Sequence, residues 1–312
     1  MGEKTQGIHH ITAIVGEAQE NTDFYAGVLG MRLVKKTVNF DDPGTYHLYF
    51  GNDEGSPGTI MTFFPWGKAY QGKVGDGQVG VTAFAVPEGA FAFWRSRLES
   101  HNVSFEEQTR FGESYLRFKD PHGLQLELVE RGMGEASGWT GGGITQGNAI
   151  KGFAGAVLFT ANAAKTAELL EEVIGFARTE EQGDYVRFVA DGTIGNILDV
   201  KQTRVGTGQM GVGTVHHIAF RADDDVDQLE WKNRVEAYGL GVTPVQDRNY
   251  FRSIYFREYG DLLFEIATDP PGFTIDESPD ALGEELKLPK QYEQYRKRLL
   301  AELPPVYARP LE

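Results

Sequence analysis

Ile8-His9-His10-Ile11-Thr12-Ala13-Ile14-Val15 opens the chain with a histidine pair running into a short apolar segment, and this pattern reads as a β-strand. The same arrangement returns in Val215-His216-His217-Ile218-Ala219-Phe220. A third apolar strand, Leu262-Leu263-Phe264-Glu265-Ile266-Ala267, carries a carboxylate in its middle. Burying an ionised glutamate among Leu, Phe and Ile costs several kcal/mol unless a cation or strong donors compensate it. Two imidazoles and one carboxylate form the ligand set of a non-haem Fe(II) oxygenase, with positions left open for substrate and oxygen. The candidate metal ligands are therefore His10, His217 and Glu265.

A repeat runs outward from these strands. Four stretches share one plan: a strand, an amphipathic helix stopped by Gly or Asn, then about three more strands. The helices fall at Asp23–Leu29, Ala90–Leu98, Ala164–Ile174 and Val226–Tyr238, and the stops at Gly30, Asn102, Gly175 and Gly239. A residue able to adopt positive φ just past the last turn is the expected helix cap, so the repeat has a physical basis. Residues 1–131 hold two such modules and 132–150 a Gly-rich linker; residues 151–275 hold two more, and 276–312 a C-terminal loop and helix. That last helix is expected over about Lys290–Leu303, with Tyr292, Tyr295, Leu299 and Leu303 on its packed face.

Composition limits the alternatives. At 312 residues with 40% hydrophobic and 24% charged side chains, the chain describes an ordinary two-domain globular protein. The net charge of −15 argues against nucleic acid and anionic membranes as partners, since both need clustered Lys and Arg. Zero cysteines exclude disulfides, thiolate ligands and a cysteine nucleophile. The opening Met1-Gly2-Glu3-Lys4-Thr5-Gln6 lacks a secretion-signal layout, and a cytoplasmic location is expected. The 39 glycines suit many short strands joined by tight turns. Gly206-Thr207-Gly208-Gln209-Met210-Gly211 fits a dinucleotide fingerprint but precedes a strand instead of opening a helix, so it reads as a loop.

The modules, with a histidine on the first strand and a glutamate on the last, resemble the vicinal oxygen chelate (glyoxalase/bleomycin-resistance/extradiol dioxygenase) superfamily. Five segments look more narrowly like the hydroquinone ring-cleaving dioxygenases: Ile8–Thr12, Tyr46-His47-Leu48-Tyr49-Phe50, Gly55–Thr62, Val215–His217 and Phe264-Glu265. The resemblance implies an α+β fold of four βαβββ modules in two glyoxalase-like domains, with mixed sheets curved into half-barrels. It also implies an Fe(II)-dependent dioxygenase that opens a hydroquinone-type diol with O₂. The oligomeric state stays open, a homo-oligomer included.

Register selects within each histidine pair. His10 stands 14 residues before Phe24 and His217 stands 14 before Trp231, so these two are equivalent. The resemblance selects the same two. Val81 takes the histidine's place in the second module and the third has no histidine on its first strand, so the first and fourth modules must share one half-barrel. Glu127 is the counterpart of Glu265 in the second module and reads as a vestige or a structural acid. By the resemblance, Tyr255 donates to a substrate oxygen or to the oxygen species and Arg248 stabilises a phenolate; His9 and His216 either point away or support the ligands, for which Thr12 is a further candidate. His47 and His122 read as a strand residue and a turn residue. Glyoxalase-type isomerases need a second carboxylate on the last strand of the first module, and Gly58–Phe64 contains no acid. Catechol extradiol cleavage, a metal-dependent isomerase or lyase, and a non-catalytic binder of aromatic compounds are the competing functions.

Overall fold

The computed structural model describes residues 4–309 and 311; Met1–Glu3, on which the reading of the N-terminus partly rests, lie outside the described residues. Two eight-stranded sheets, each curled into a half-barrel, carry the chain. The first module supplies β1 (Ile8–Val15), helix α1 (Ala18–Thr22, continued by a wider turn to Val28), β2 (Arg32–Val38), β3 (Tyr46–Gly51) and β4 (Ile60–Pro65). The second supplies β5 (Gln78–Val86), α2 (Phe91–Ser100), β6 (Phe105–Arg110), β7 (Glu113–Lys119) and β8 (Gln125–Glu130). The third runs through β9 (Gly152–Phe159), α3 (Ala163–Leu169), β10 (Ala177–Gln182), β11 (Tyr185–Val189) and β12 (Ile197–Lys201). The fourth runs through β13 (Thr214–Ala222), α4 (Asp225–Ala237), β14 (Gln246–Asp247), β15 (Arg252–Arg257) and β16 (Leu263–Thr268).

The sheets do not follow the sequence halves. One has the order β14-β15-β16-β13-β1-β4-β3-β2 and the other β10-β11-β12-β9-β5-β8-β7-β6. The first and last modules therefore meet through the antiparallel pair β1–β13, as the distribution of histidines requires. The helix stops at Gly30, Asn102, Gly175 and Gly239 all take positive φ, at 67°, 57°, 87° and 98°. One buried apolar cluster spans both sheets, with Trp94 and Trp231 anchoring α2 and α4 to it.

Residues 206–211 form a loop, as expected, and Lys73 and Gln209 exchange backbone hydrogen bonds at 2.8 Å in each direction. A Cβ on Gly75 would sit 2.4 Å from the Gly208 nitrogen, so glycine here permits two backbones to touch. No described helix is long and apolar enough to cross a membrane.

The C-terminal helix needs a correction. It is a tighter three-residue-per-turn segment over Lys290–Tyr295, followed by α5 (Arg296–Glu302). Leu299 and Leu303 are buried and Tyr292 packs on the core, but Tyr295 is 42% exposed. Tyr295 closes the tighter segment at the point where the winding changes to that of α5, so no single helical periodicity runs through Lys290–Leu303.

Candidate metal centre and cavity

Strand pairing delivers the three candidate ligands to one point. His10 on β1 and His217 on β13 lie on the two central strands, and Glu265 on β16 pairs with Ala219, two residues beyond His217. His10 Nε2 and His217 Nε2 are 3.3 Å apart, and they stand 3.3 and 3.0 Å from Glu265 Oε2. All three residues are buried. Donors about 2.0–2.2 Å from a shared divalent ion and at roughly 90–110° to one another lie about 3.0–3.5 Å apart, so the spacing fits three adjacent ligands.

The glutamate oxygens tell the same story. Ser253 Oγ donates to Glu265 Oε1 at 2.5 Å. Among the described residues Oε2 is buried with no hydrogen-bond donor, although the two imidazole nitrogens stand 3.3 and 3.0 Å away. An orphaned carboxylate oxygen facing two imidazole nitrogens is the donor set a cation completes. Burial pushes the Glu265 carboxyl upward, but His10 and His217 outweigh it and hold it well below the usual carboxylate range. Ser253→Ala is expected to weaken metal binding by about 10- to 100-fold, the usual cost of losing a ligand's outer hydrogen bond. Chelator competition followed by metal analysis measures it; unchanged affinity would show that Ser253 does not orient the glutamate.

The second histidine of each pair has a structural explanation that simple strand alternation misses. The β1–β13 ladder slips between Ile8 and His10 and again between Thr12 and Ala13, leaving His9 and His216 as the extra residue of a bulge. The bulges turn neighbouring rings toward each other: His9 Nδ1 lies 2.9 Å from His10 Nδ1, and His216 Nδ1 lies 2.7 Å from His217 Nδ1. To hold a metal each Nε2 would need its lone pair, and His10 and His217 would then carry their protons on Nδ1 and donate them to these neighbours. His9 can accept because its other nitrogen bonds the Thr268 backbone. Burial, then the adjacent His217, pushes the His216 imidazole down to about 3, which keeps it a neutral acceptor.

A cavity of about 260 Å³ opens beside the triad. Of the other sequence candidates, Arg248, Tyr255 and His216 line it, whereas His9 and Thr12 do not. Tyr255 faces Glu265 across β15–β16, and Arg248 Nε donates to its hydroxyl at 3.3 Å. Burial, then the charge on Glu265, raises the Tyr255 phenol, so it stays a donor. Thr12 Oγ1 is 2.8 Å from Thr62 Oγ1, and Thr62 in turn contacts His47 Nε2 at 2.8 Å.

The structure adds wall residues that sequence reasoning passed over: His47, Tyr49, Phe64, Trp66 and Phe251, with Asn39–Asp42 as a roof. His47 is the strand residue expected of it but also a wall residue, its Nδ1 2.9 Å from Tyr49 Oη. The available signal was the alternation of Tyr46-His47-Leu48-Tyr49, which puts His47 and Tyr49 on one face of β3. His122 sits in a turn away from the cavity, its Nδ1 accepting from the Gly16 N–H at 3.3 Å.

The other half-barrel repeats the framework without the ligands. Glu127 pairs with Ala83 on β5 and Asp199 with Val157 on β9, the register positions equivalent to Glu265 and Ala219. Val81 and Gly155 stand where the histidines would, and Gly80 and Ala154 take the bulge positions of His9 and His216. Arg110 spans the two acids, its Nε 2.6 Å from Asp199 Oδ2 and its Nη2 3.0 Å from Glu127 Oε2. Arg117 and Arg187 complete the network. Glu127 is thus a structural acid, and a guanidinium fills the place a cation would take.

Comparison with known proteins matches the chain to the Glyoxalase/Bleomycin resistance protein/Dioxygenase superfamily over residues 7–128 and 152–276. It is 61% identical to a Bacillus subtilis protein named as a ring-cleaving dioxygenase, MhqO, over the full length of both chains. It is 38% identical to a chlorohydroquinone/hydroquinone 1,2-dioxygenase of Sphingobium indicum, covering 96% of each chain. A Bacillus subtilis crystal structure described as a dioxygenase superposes with a TM-score of 0.98 at 61% identity, covering 99% of this chain and 100% of that one. Glyoxalase I of Zea mays shares the fold, with a TM-score of 0.63 at 13% identity over 84% of this chain and 92% of that one.

Proposed function

The chain belongs to the Glyoxalase/Bleomycin resistance protein/Dioxygenase superfamily, and from that premise we propose that it is an Fe(II)-dependent dioxygenase opening the ring of hydroquinone-type diols. Its full-length relatives carry the name of ring-cleaving dioxygenases, and the hydroquinone enzyme among them points to the substrate class. The observation that carries the reading is the set of three donors, 3.0–3.3 Å apart, beside a cavity that holds both Arg248 and Tyr255.

A ferrous ion in this donor set supplies open positions and one-electron chemistry for a diol and dioxygen. The rest is the work of the chain's own side chains. His9 and His216 fix the imidazole tautomers, and Ser253 fixes the carboxylate. Arg248 offers its charge to a phenolate oxygen, and Tyr255 holds its proton at Oη as a donor to the reacting oxygens. Phe64, Trp66 and Phe251 provide apolar walls that exclude water. The volume of about 260 Å³ lies below the usual drug-sized pocket and suits a single substituted ring. Thr62, at the register position of Glu265 in the first module, offers a hydroxyl already engaged by His47 in place of the second carboxylate, the fourth protein ligand, that an isomerase requires.

Oxygen uptake after anaerobic Fe(II) loading tests the proposal. Methyl- and chlorohydroquinone should each consume about one O₂ per ring, with catechol much slower. Uptake driven by catechols alone would transfer the protein to extradiol cleavage. Thiol-dependent turnover without oxygen would make it an isomerase.

A further inference from the structure

The chain beyond residue 276 lies outside the family match, yet it closes over the cavity roof from the far side. Tyr292 Oη donates to the Phe40 carbonyl at 2.7 Å, and Tyr46 Oη donates to the Pro304 carbonyl at 2.9 Å. Lys36 Nζ donates to the Val306 carbonyl at 3.3 Å, and the Lys287 N–H to the Lys36 carbonyl at 2.9 Å. Leu299, Leu303 and Val306 are buried and anchor this segment to the body.

The inner side of the same roof touches the proposed substrate-binding groups. Asp41 Oδ2 accepts from Arg248 Nη2 at 3.3 Å, and the guanidinium lies 5.6 Å from the Phe40 ring centre. The Asp41 side chain is 76% exposed, and an exposed ion pair is worth about 0–1 kcal/mol, too little to hold a loop. The roof closes on itself through the Asn39 N–H to the Thr45 carbonyl at 2.8 Å and the Thr45 N–H to the Asp42 carbonyl at 3.0 Å, and the Phe40 carbonyl between them is held from the outer side. Phe40 is the pivot: its carbonyl faces the C-terminal segment while its ring and the next carboxylate face Arg248.

We propose that Tyr292 is a positioning residue for the cavity: by holding the Phe40 carbonyl it sets Phe40 and Asp41 against the Arg248 guanidinium. The C-terminal segment thereby becomes part of the site. The claim that this affects turnover rests on the hydroquinone reading, whereas the clamp itself does not.

Tyr292→Phe, which removes only the hydroxyl, separates the two. Amide exchange of residues 39–45 should speed up by about five- to tenfold, as loss of one hydrogen bond implies, with the rest of the sheet unaffected. KM for methylhydroquinone should rise several-fold, and kcat should fall less. Tyr292→Phe combined with Asp41→Asn should raise KM no further than the larger single effect, because both act through one contact. Wild-type exchange in the roof of Tyr292→Phe, or additive KM effects in the double variant, would overturn the proposal. Should no hydroquinone drive uptake in the wild type, the functional reading falls and the exchange comparison still decides the clamp.

Discussion

His217→Ala is expected to purify with a normal fold, little bound metal and oxygen uptake reduced by more than about a hundredfold. The lower bound follows from the 10- to 100-fold cost of losing a mere hydrogen-bond partner of a ligand; loss of the ligand itself costs more. His217 provides one of three donors and stands 3.0 Å from Glu265 Oε2, so its removal leaves that oxygen facing His10 alone. Two donors on one side of an ion no longer enclose it, and water takes the vacated position. The fold should survive, because the side chain borders the cavity and the β1–β13 ladder is held by backbone bonds. Metal content per chain and oxygen-electrode rates measure the two effects together. Full metal content with undiminished uptake would remove the triad from the chemistry.

How far the sequence could reach depends on whether a feature was written locally or by pairing. The histidine pairs, the lone acid in an apolar strand and the capped helices are local signals. The union of the first and last modules followed from counting first-strand histidines, and β1–β13 pairing is how the fold achieves it. Side-chain direction at His9 and His216 was not legible. Alternation points a neighbour to the opposite face, and only the paired register reveals that both residues are bulged. The cavity wall was hidden for a similar reason: Tyr49, Trp66 and Phe251 come from three separate segments, and each alone looks like core. Tyr295 misled because one helical periodicity was assumed across two segments that wind differently.

The same distinction applies to Glu127, whose burial was readable but whose partners were not, and it leads to the other large expected effect. Arg110→Ala should lower stability by about 3 kcal/mol or more, since breaking a buried ion network leaves carboxylates short of compensation. Arg110 is buried and touches both Glu127 and Asp199; Arg117 and Arg187 would remain, one on each acid, which places the cost at the lower end of the usual 3–5 kcal/mol range. For a chain of this size that corresponds to a fall in Tm of roughly 5–10 °C. Arg110→Lys should recover only part of it, because an ammonium keeps the charge but cannot span two carboxylates as a planar fork does. Metal content should stay at the wild-type level, because the candidate ligands sit on the other sheet. Thermal melts of the three proteins test the stability order, and metal analysis tests the unchanged site. An Arg110→Ala midpoint equal to wild type would mean that the guanidinium does not stand in for a cation in the second half-barrel.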